Sequence, residues 1–526
     1  MASQAEAVSG DWHGEGGVVP RGGQALALAT LCTILFLTFL DNTVVSVALG
    51  DVQTSLKADV TDLQWVVGAY ALTFASIMLA CGMIGDELGR KKVMLAGAGV
   101  FCAGSVLCAL APNVQVLIAG RAVMGLGAAA SEPGTLSMLR QLYPDARARN
   151  RAVGVWAATS GFALAAGPVI GGVIIGAWNW RGIFWFNLVF GLAALIVAAL
   201  VLPESADPTA ARVDTAGTLL GAGTLATFIF AIIDAESAGF GSAVVIILLC
   251  VSAILLAAFA WWERRAPHPA LDLRLLRVPQ FSTANIVAFC TYFATFAIFF
   301  FTALYLVEVV GASGFRLAAV FAPMTVLMIA SSALAGRWTA RAGPRWSITA
   351  GCLLLAGGLL LTGTSLSPQP DYGLLVAALA LAGIGIGTTV VPITSAVLAA
   401  VPATRSGMAA SAANTSREIG AVTGIAVLGS LVYSQLHASL VSQMTRLGVP
   451  VSFQGLVTNA IETGQIPKNT TAYAGFGKLV SDVIGAAYTA FHNGLHAALY
   501  LSAGLTLAAG LLALITLRSR PVDSGS

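Results

Sequence analysis

The chain has 526 residues, 57% of them hydrophobic and only 10% charged, with a net charge of +3 and a mean hydropathy of +0.85. A water-soluble domain carries about 25% charged residues, so this composition excludes a soluble globular protein. It gives no ground for a nucleic-acid partner, and the absence of a G-x-x-x-x-G-K-[ST] loop disfavours direct use of ATP.

Residues 1–24 read as a polar cytoplasmic tail; they lack the basic n-region of a signal peptide. Apolar stretches long enough to span a bilayer follow near 25–49, 64–84, 93–111, 114–139, 151–176 and 182–202, then near 215–233 and 242–262. Six more lie near 281–307, 317–336, 346–366, 373–400, 407–436 and 488–517. The expectation is an all-α integral membrane protein of fourteen spans. All seven cysteines fall inside these stretches without metal-ligand spacing and read as packing residues. His492 and His496 are four apart at the mouth of the last span, and no third ligand stands near them in sequence, so no metal is expected.

Lys and Arg fix an orientation. With the N-terminus inside, nineteen of the 27 fall in cytoplasmic segments and six outside, leaving Arg121 and Arg417 within spans. The positive-inside rule then places both termini in the cytoplasm and the protein in the cell membrane as a multi-pass chain. The partners expected are the lipid bilayer, protons and a small-molecule substrate, with the chain working as a monomer.

The chain also repeats itself. AGRWTARAGPRW (335–346) echoes CGMIGDELGRKK (81–92), setting Gly343 against Gly89. Arg405 and Gly407 echo Arg151 and Gly154, and Gly385, Gly387 and Pro392 echo Gly125, Gly127 and Pro133. Matches at nearly one period, about 253–260 residues, argue for two homologous six-helix bundles, 25–202 and 278–517. Between them, 203–277 reads as linkers around an inserted helix pair. A polar outer loop, 438–487, lies before the last span, and 518–526 is a second cytoplasmic tail.

Ionisable groups within a span cost several kcal/mol, about 2.5–3.5 on insertion scales, and each is a functional hypothesis. Asp41 lies in the outer half of the first span, Arg121 and Glu132 in the fourth, and Arg417 and Glu418 in the thirteenth. At 1.5 Å per residue, Arg121 stands roughly 12 Å below the external end of its span, near the depth of Asp41, so the two can pair. Arg121 could instead only brace helix packing. Phe293, Phe296 and Phe300 belong to an aromatic stripe on the ninth span, which faces either lipid or a substrate cavity. Asn414 and Arg417 are further cavity candidates.

Several runs resemble motifs of the major facilitator superfamily. GMIGDELGRKK (82–92) is similar to its loop between the second and third helices, with Gly82, Asp86, Gly89 and Arg90 in place and Glu87 where a basic residue is usual. GFALAAGPVIGG (161–172) resembles its antiporter motif through Gly161, Gly167, Pro168, Gly171 and Gly172. LDNTVVSVAL, RAVMGLGAA, WNWRGIFWFN, DTAG and ANTSREIG fit the fourteen-span drug:proton antiporter branch, with Glu418 where Gln is usual. The resemblance implies the major facilitator fold, proton-coupled export of drugs, antibiotics or secondary metabolites by alternating access, and no cofactor beyond the proton gradient. It implies that Asp41 binds the proton and that Arg121 belongs to the relay; Glu132 is a further acid for proton coupling. An exporter or importer of one metabolite would read almost the same. A membrane-embedded enzyme is disfavoured, because none of the five histidines stands beside a carboxylate run.

Overall fold

A computed structural model describes residues 21–143, 145–204, 214–267, 269, 271–367, 370–401, 406–447, 454 and 477–517. Helix α1 (Arg21–Val44) passes through a 3₁₀ turn, Val45–Ala48, into α2 (Leu49–Leu56). Then come α3 (Val60–Leu88), α4 (Arg90–Ala109), α5 (Val114–Leu142), α6 (Ala146–Ala177) and α7 (Arg181–Val201). The inserted pair is α8 (Thr215–Ala238) and α9 (Ala243–Glu263). A short 3₁₀ turn, Leu275–Arg277, leads to α10 (Pro279–Glu308), α11 (Gly314–Ala342), α12 (Pro344–Ser365), α13 (Tyr372–Ala399), α14 (Ser406–Arg446) and α15 (Gly477–Thr516).

A helix stands at each of the fourteen expected spans, α1 and α2 together filling the first. Among the described residues, twelve helical segments are long and apolar enough to cross a membrane, and thirteen if the bent α6 is one span. α3 lies outside that group. Fourteen crossings thus exceed what length and apolarity alone establish. Helices α14 and α15 run into both ends of the segment read as loop 438–487, whose middle lies outside the described residues apart from Gln454.

Local chemistry sets the helix starts. Asp59 and Asp62 form a capping box at α3, and Asn113, Asp145, Asp214, Ser313 and Asp371 each accept from a first-turn N–H of the helix they precede. Two glycines make the tightest reversals. Gly89 (φ 111°) ends α3 and starts α4, and Gly343 (φ 78°) does the same between α11 and α12. Side chains rarely adopt those angles.

Close helix contacts repeat as well, with Gly385 standing in the place of Gly127 rather than of Gly125, a shift of two residues from the echo of the sequence runs. A Cβ on Gly97 of α4 would sit 2.7 Å from the Gly127 carbonyl of α5, and one on Gly351 of α12 would sit 2.9 Å from the Gly385 carbonyl of α13. Small residues let backbones touch where lipid supplies no hydrophobic drive. Within the first half α4 packs on α5 and α7, α3 on α5, and α1 on α6; within the second α12 packs on α13 and α15, α11 on α13, and α10 on α14. The halves meet through α6 with α11 and α3 with α14, while α8 leans on α9, α3 and α14. Helix α6 bends by 44° between Ala163 and Ala166, one turn before Pro168, which has no N–H to bond back.

Candidate functional site

The 3₁₀ segment that interrupts the first span begins at Val45, four residues after Asp41. Asp41 and Arg121 are fully buried, and Arg121 Nη1 pairs with Asp41 Oδ2. Asn187 of α7 donates to Asp41 Oδ1 at 2.7 Å. The guanidinium is held independently of the acid: Nε donates to the Val66 carbonyl at 2.8 Å, and the group lies 4.5 Å over the Tyr70 ring. Tyr70 in turn donates to the Thr38 carbonyl of α1 at 3.0 Å. The expected pairing of Asp41 with Arg121 is therefore made, with α3 as its support.

The next residue carries the network across the molecule. Asn42 Nδ2 donates to Glu418 Oε1 of α14 at 3.3 Å. Beside it Arg417 Nη1 donates to Asn414 Oδ1 at 3.1 Å, and Asn414 Nδ2 donates to Glu132 Oε1 of α5 at 2.9 Å. Arg417 Nη2 also donates to Thr394 Oγ1, and its guanidinium lies 5.5 Å from the Tyr292 ring centre. Glu132 and Glu418 thus each hold a contact between the two halves, and both are buried. Their Oε2 atoms find no hydrogen-bond partner among the described residues.

A cavity of about 460 Å³ lies between α6, α11 and α13, lined among others by Gly154, Phe162, Ser332, Gly336, Thr394 and Leu398. Gly154, Gly336 and Leu398 belong to helix ends on the face that carries Gly89, so the cavity sits toward that face. Thr394 joins it to Arg417. On the opposite face, which carries Lys57, α6 and α11 touch: a Cβ on Gly172 would stand 2.6 Å from the Gly314 carbonyl, and one on Gly314 would stand 2.7 Å from Gly176 N. The bend in α6 thus separates an open end from a closed one.

The glycine run of α6 serves two neighbours. Gly167 faces Thr43 and Val44, and Gly171 faces Val47, so both pack on the break in α1 next to Asp41. Gly172 turns to α11. Among the described residues, Gly161 has only Ser332 Oγ nearby, 4.0 Å from a Cβ built there. In the first loop, Gly82 packs on Pro133 of α5, and a Cβ on Gly89 would meet Glu204 Oε1 at 2.7 Å. Arg90 is half-buried at the start of α4; the Asp86 side chain falls outside the described residues.

Phe293, Phe296 and Phe300 are all buried and belong to the main apolar core. That stripe faces protein rather than lipid, and these three residues do not line the 460 Å³ cavity. The His492 and His496 rings lie 4.3 Å apart, with no group of three potential metal ligands among the described residues. The sequence reading missed Asn42, Tyr70, Asn187 and Thr394. A polar residue inside an otherwise apolar helix was the signal available for Asn187, within the run WNWRGIFWFN.

Comparisons with known proteins agree with this architecture. The family model described as Major Facilitator Superfamily matches residues 31–425. The chain is 34% identical over 425 residues to the multidrug resistance protein Stp of Mycobacterium tuberculosis, covering 80% of this chain and 78% of that one. It is 34% identical over 421 residues to the methylenomycin A resistance protein of Streptomyces coelicolor, covering 79% and 88%. A bacterial homologue of the human lysosomal transporter Spinster, solved inward-facing and unoccupied, superposes with a TM-score of 0.63 at 16% identity, covering 95% and 99%; at that identity the likeness speaks for the fold. The buried ionic network, the glycine-packed paired bundles and the matched family model lead to one conclusion: the chain is a multi-pass membrane transporter, not an enzyme, and belongs to the major facilitator superfamily.

Proposed function

We propose that the protein is a proton-coupled antiporter that exports drugs, antibiotics or similar small organic compounds across the cell membrane. Relatives named for multidrug and methylenomycin A resistance support the substrate class. The Gly89 face is cytoplasmic in this reading, because the loops there carry most of the Lys and Arg. Both termini then lie inside and the cavity receives substrate from the cytoplasm.

The observation that carries the reading is the buried network of Asp41, Arg121, Glu132, Arg417 and Glu418, which ties both halves together. Asp41 is matched by Arg121, while Glu132 and Glu418 share Arg417, so the five groups together carry one carboxyl more than they have guanidiniums. Protonation of Asp41 removes its attraction for Arg121, which stays on the Val66 carbonyl and the Tyr70 ring. The break in α1 is then free to shift against Gly167 and Gly171, and the halves rock to expose the cavity on the other side. One proton crossing 100 mV supplies about 2.3 kcal/mol, enough for roughly a fortyfold gradient of a neutral compound.

Expression in a pump-deficient bacterial host tests the substrate class. Resistance to several unrelated drugs, lost when a protonophore collapses the gradient, is the expected outcome. Unchanged susceptibility across the panel at confirmed membrane expression, with uptake of a single metabolite instead, would overturn it.

A further inference from the structure

Two cavities flank the stretch that joins the inserted helix pair to the second half, and the inner one reaches Thr415, Ser416 and Ile419 of α14, next to Arg417 and Glu418. One is a cup of about 380 Å³ on the Gly89 face, lined by Arg264, Arg274 and Arg277 together with Glu263 and Asp272. Both carboxylates engage local backbone: Glu263 Oε2 accepts from Leu271 N at 3.2 Å, and Asp272 Oδ1 from Arg274 N at 2.9 Å. Three guanidiniums against two carboxylates leave the cup net cationic. The other is a slot of about 240 Å³ between α8 and α9 on one side and α3, α10 and α14 on the other. Leu225, Leu256 and Phe259 make much of its wall. Two hydroxyls that line it, Ser76 Oγ and Thr218 Oγ1, are buried without a hydrogen-bond partner among the described residues.

One strip of chain divides the cavities. Leu271 and Leu276 line the slot, while Asp272, Arg274 and Arg277 line the cup. Nearby, the Arg265 guanidinium lies 4.2 Å over the exposed Trp261 ring, and such aromatic and cationic groups sit at headgroup level. The slot follows α8 from Gly217 to Leu225, about 12 Å at 1.5 Å per residue.

A basic cup at headgroup depth, beside an apolar slot that runs toward the midplane, fits an anionic head on a hydrocarbon chain. We propose that this cleft binds an anionic phospholipid, its phosphate in the arginine cup and one acyl chain in the slot. The ester oxygens accept from Thr218 and Ser76, whose hydroxyls otherwise lack partners. A free phosphate leaves the slot empty, and a neutral apolar compound leaves the arginines unused. Because α8 contacts both α3 and α14, the chain lies against a joint between the halves, and its occupancy biases their rocking. The site is independent of the exported compound.

Native mass spectrometry of the purified full-length protein tests this directly, with phosphatidylglycerol, phosphatidylcholine of the same chains, and inorganic phosphate as probes. Wild type should bind phosphatidylglycerol about tenfold more tightly than phosphatidylcholine, and the double variant Arg274→Gln/Arg277→Gln should lose about that factor. Gly221→Leu, whose Cβ would stand 3.4 Å from Phe259 inside the slot, should also weaken phosphatidylglycerol, while inorganic phosphate should not displace it. Thermal melting confirms that the variants are folded; the surface arginine pair provides the test if the slot variant is not. Equal binding of the two lipids, unchanged binding by the arginine variant, or displacement by phosphate alone would each overturn the proposal.

Discussion

Arg121→Met should lower stability by about 3–5 kcal/mol, because it leaves the Asp41 carboxylate buried without its cation, and it should abolish transport. Asp41 is fully buried, and its remaining partner is the neutral Asn187 amide. Asp41→Asn should cost less. The arginine keeps the Val66 carbonyl and the Tyr70 ring, and the asparagine retains an acceptor oxygen where the pair was. The double variant Asp41→Asn/Arg121→Met should recover much of the loss, since no unpaired charge remains, yet stay inactive. Thermal unfolding in detergent reads the stability, and export from loaded vesicles reads the activity. Equal destabilisation by the two single variants would show that the arginine has no support of its own, and the release step built on that support would fail.

Gly172→Val should cut transport by about tenfold or more while leaving the protein inserted. Its Cβ would stand 2.6 Å from the Gly314 carbonyl and 2.9 Å from Ala318 N. Both are backbone atoms that no rotamer change can clear, so α6 and α11 must part on the Lys57 face. A molecule unable to close that face cannot complete the cycle. Gly99→Ala in α4 is the control: no described atom lies within 4 Å of a Cβ there, and transport should match wild type. Labelling of a cysteine placed at Phe315, beside Gly176, should rise in Gly172→Val. If the label stays excluded and transport is normal, this contact is not the closure.

The sequence revealed helices and depth well because each is local. Apolar length marked most of the helices, and rise per residue sets Asp41 and Arg121 at one level. Contacts between the halves were not legible in the same way. Asn42 and Glu418 are 376 positions apart, and Asn414 and Glu132 are 282 apart, so both depend on how two separately patterned bundles dock. The aromatic stripe of α10 shows a second limit. Lipid is as apolar as a protein core, so helical spacing alone could not separate a lipid face from the buried one that α10 presents. Gly89 and Gly343 were matched through the echo of two sequence runs, and their positive φ angles give that match its physical reason.

In the proposed mechanism Asp41 carries the coupling proton. Purified wild type, Asp41→Asn and Glu132→Gln, each reconstituted into proteoliposomes, can be compared under an imposed pH gradient with a fluorescent drug as substrate. Wild type should accumulate the drug and move protons in the opposite direction. Asp41→Asn should show no gradient-driven accumulation while still exchanging drug for drug, because binding survives and coupling does not. Normal gradient-driven pumping by Asp41→Asn, with failure of Glu132→Gln, would contradict the account and move the proton to Glu132.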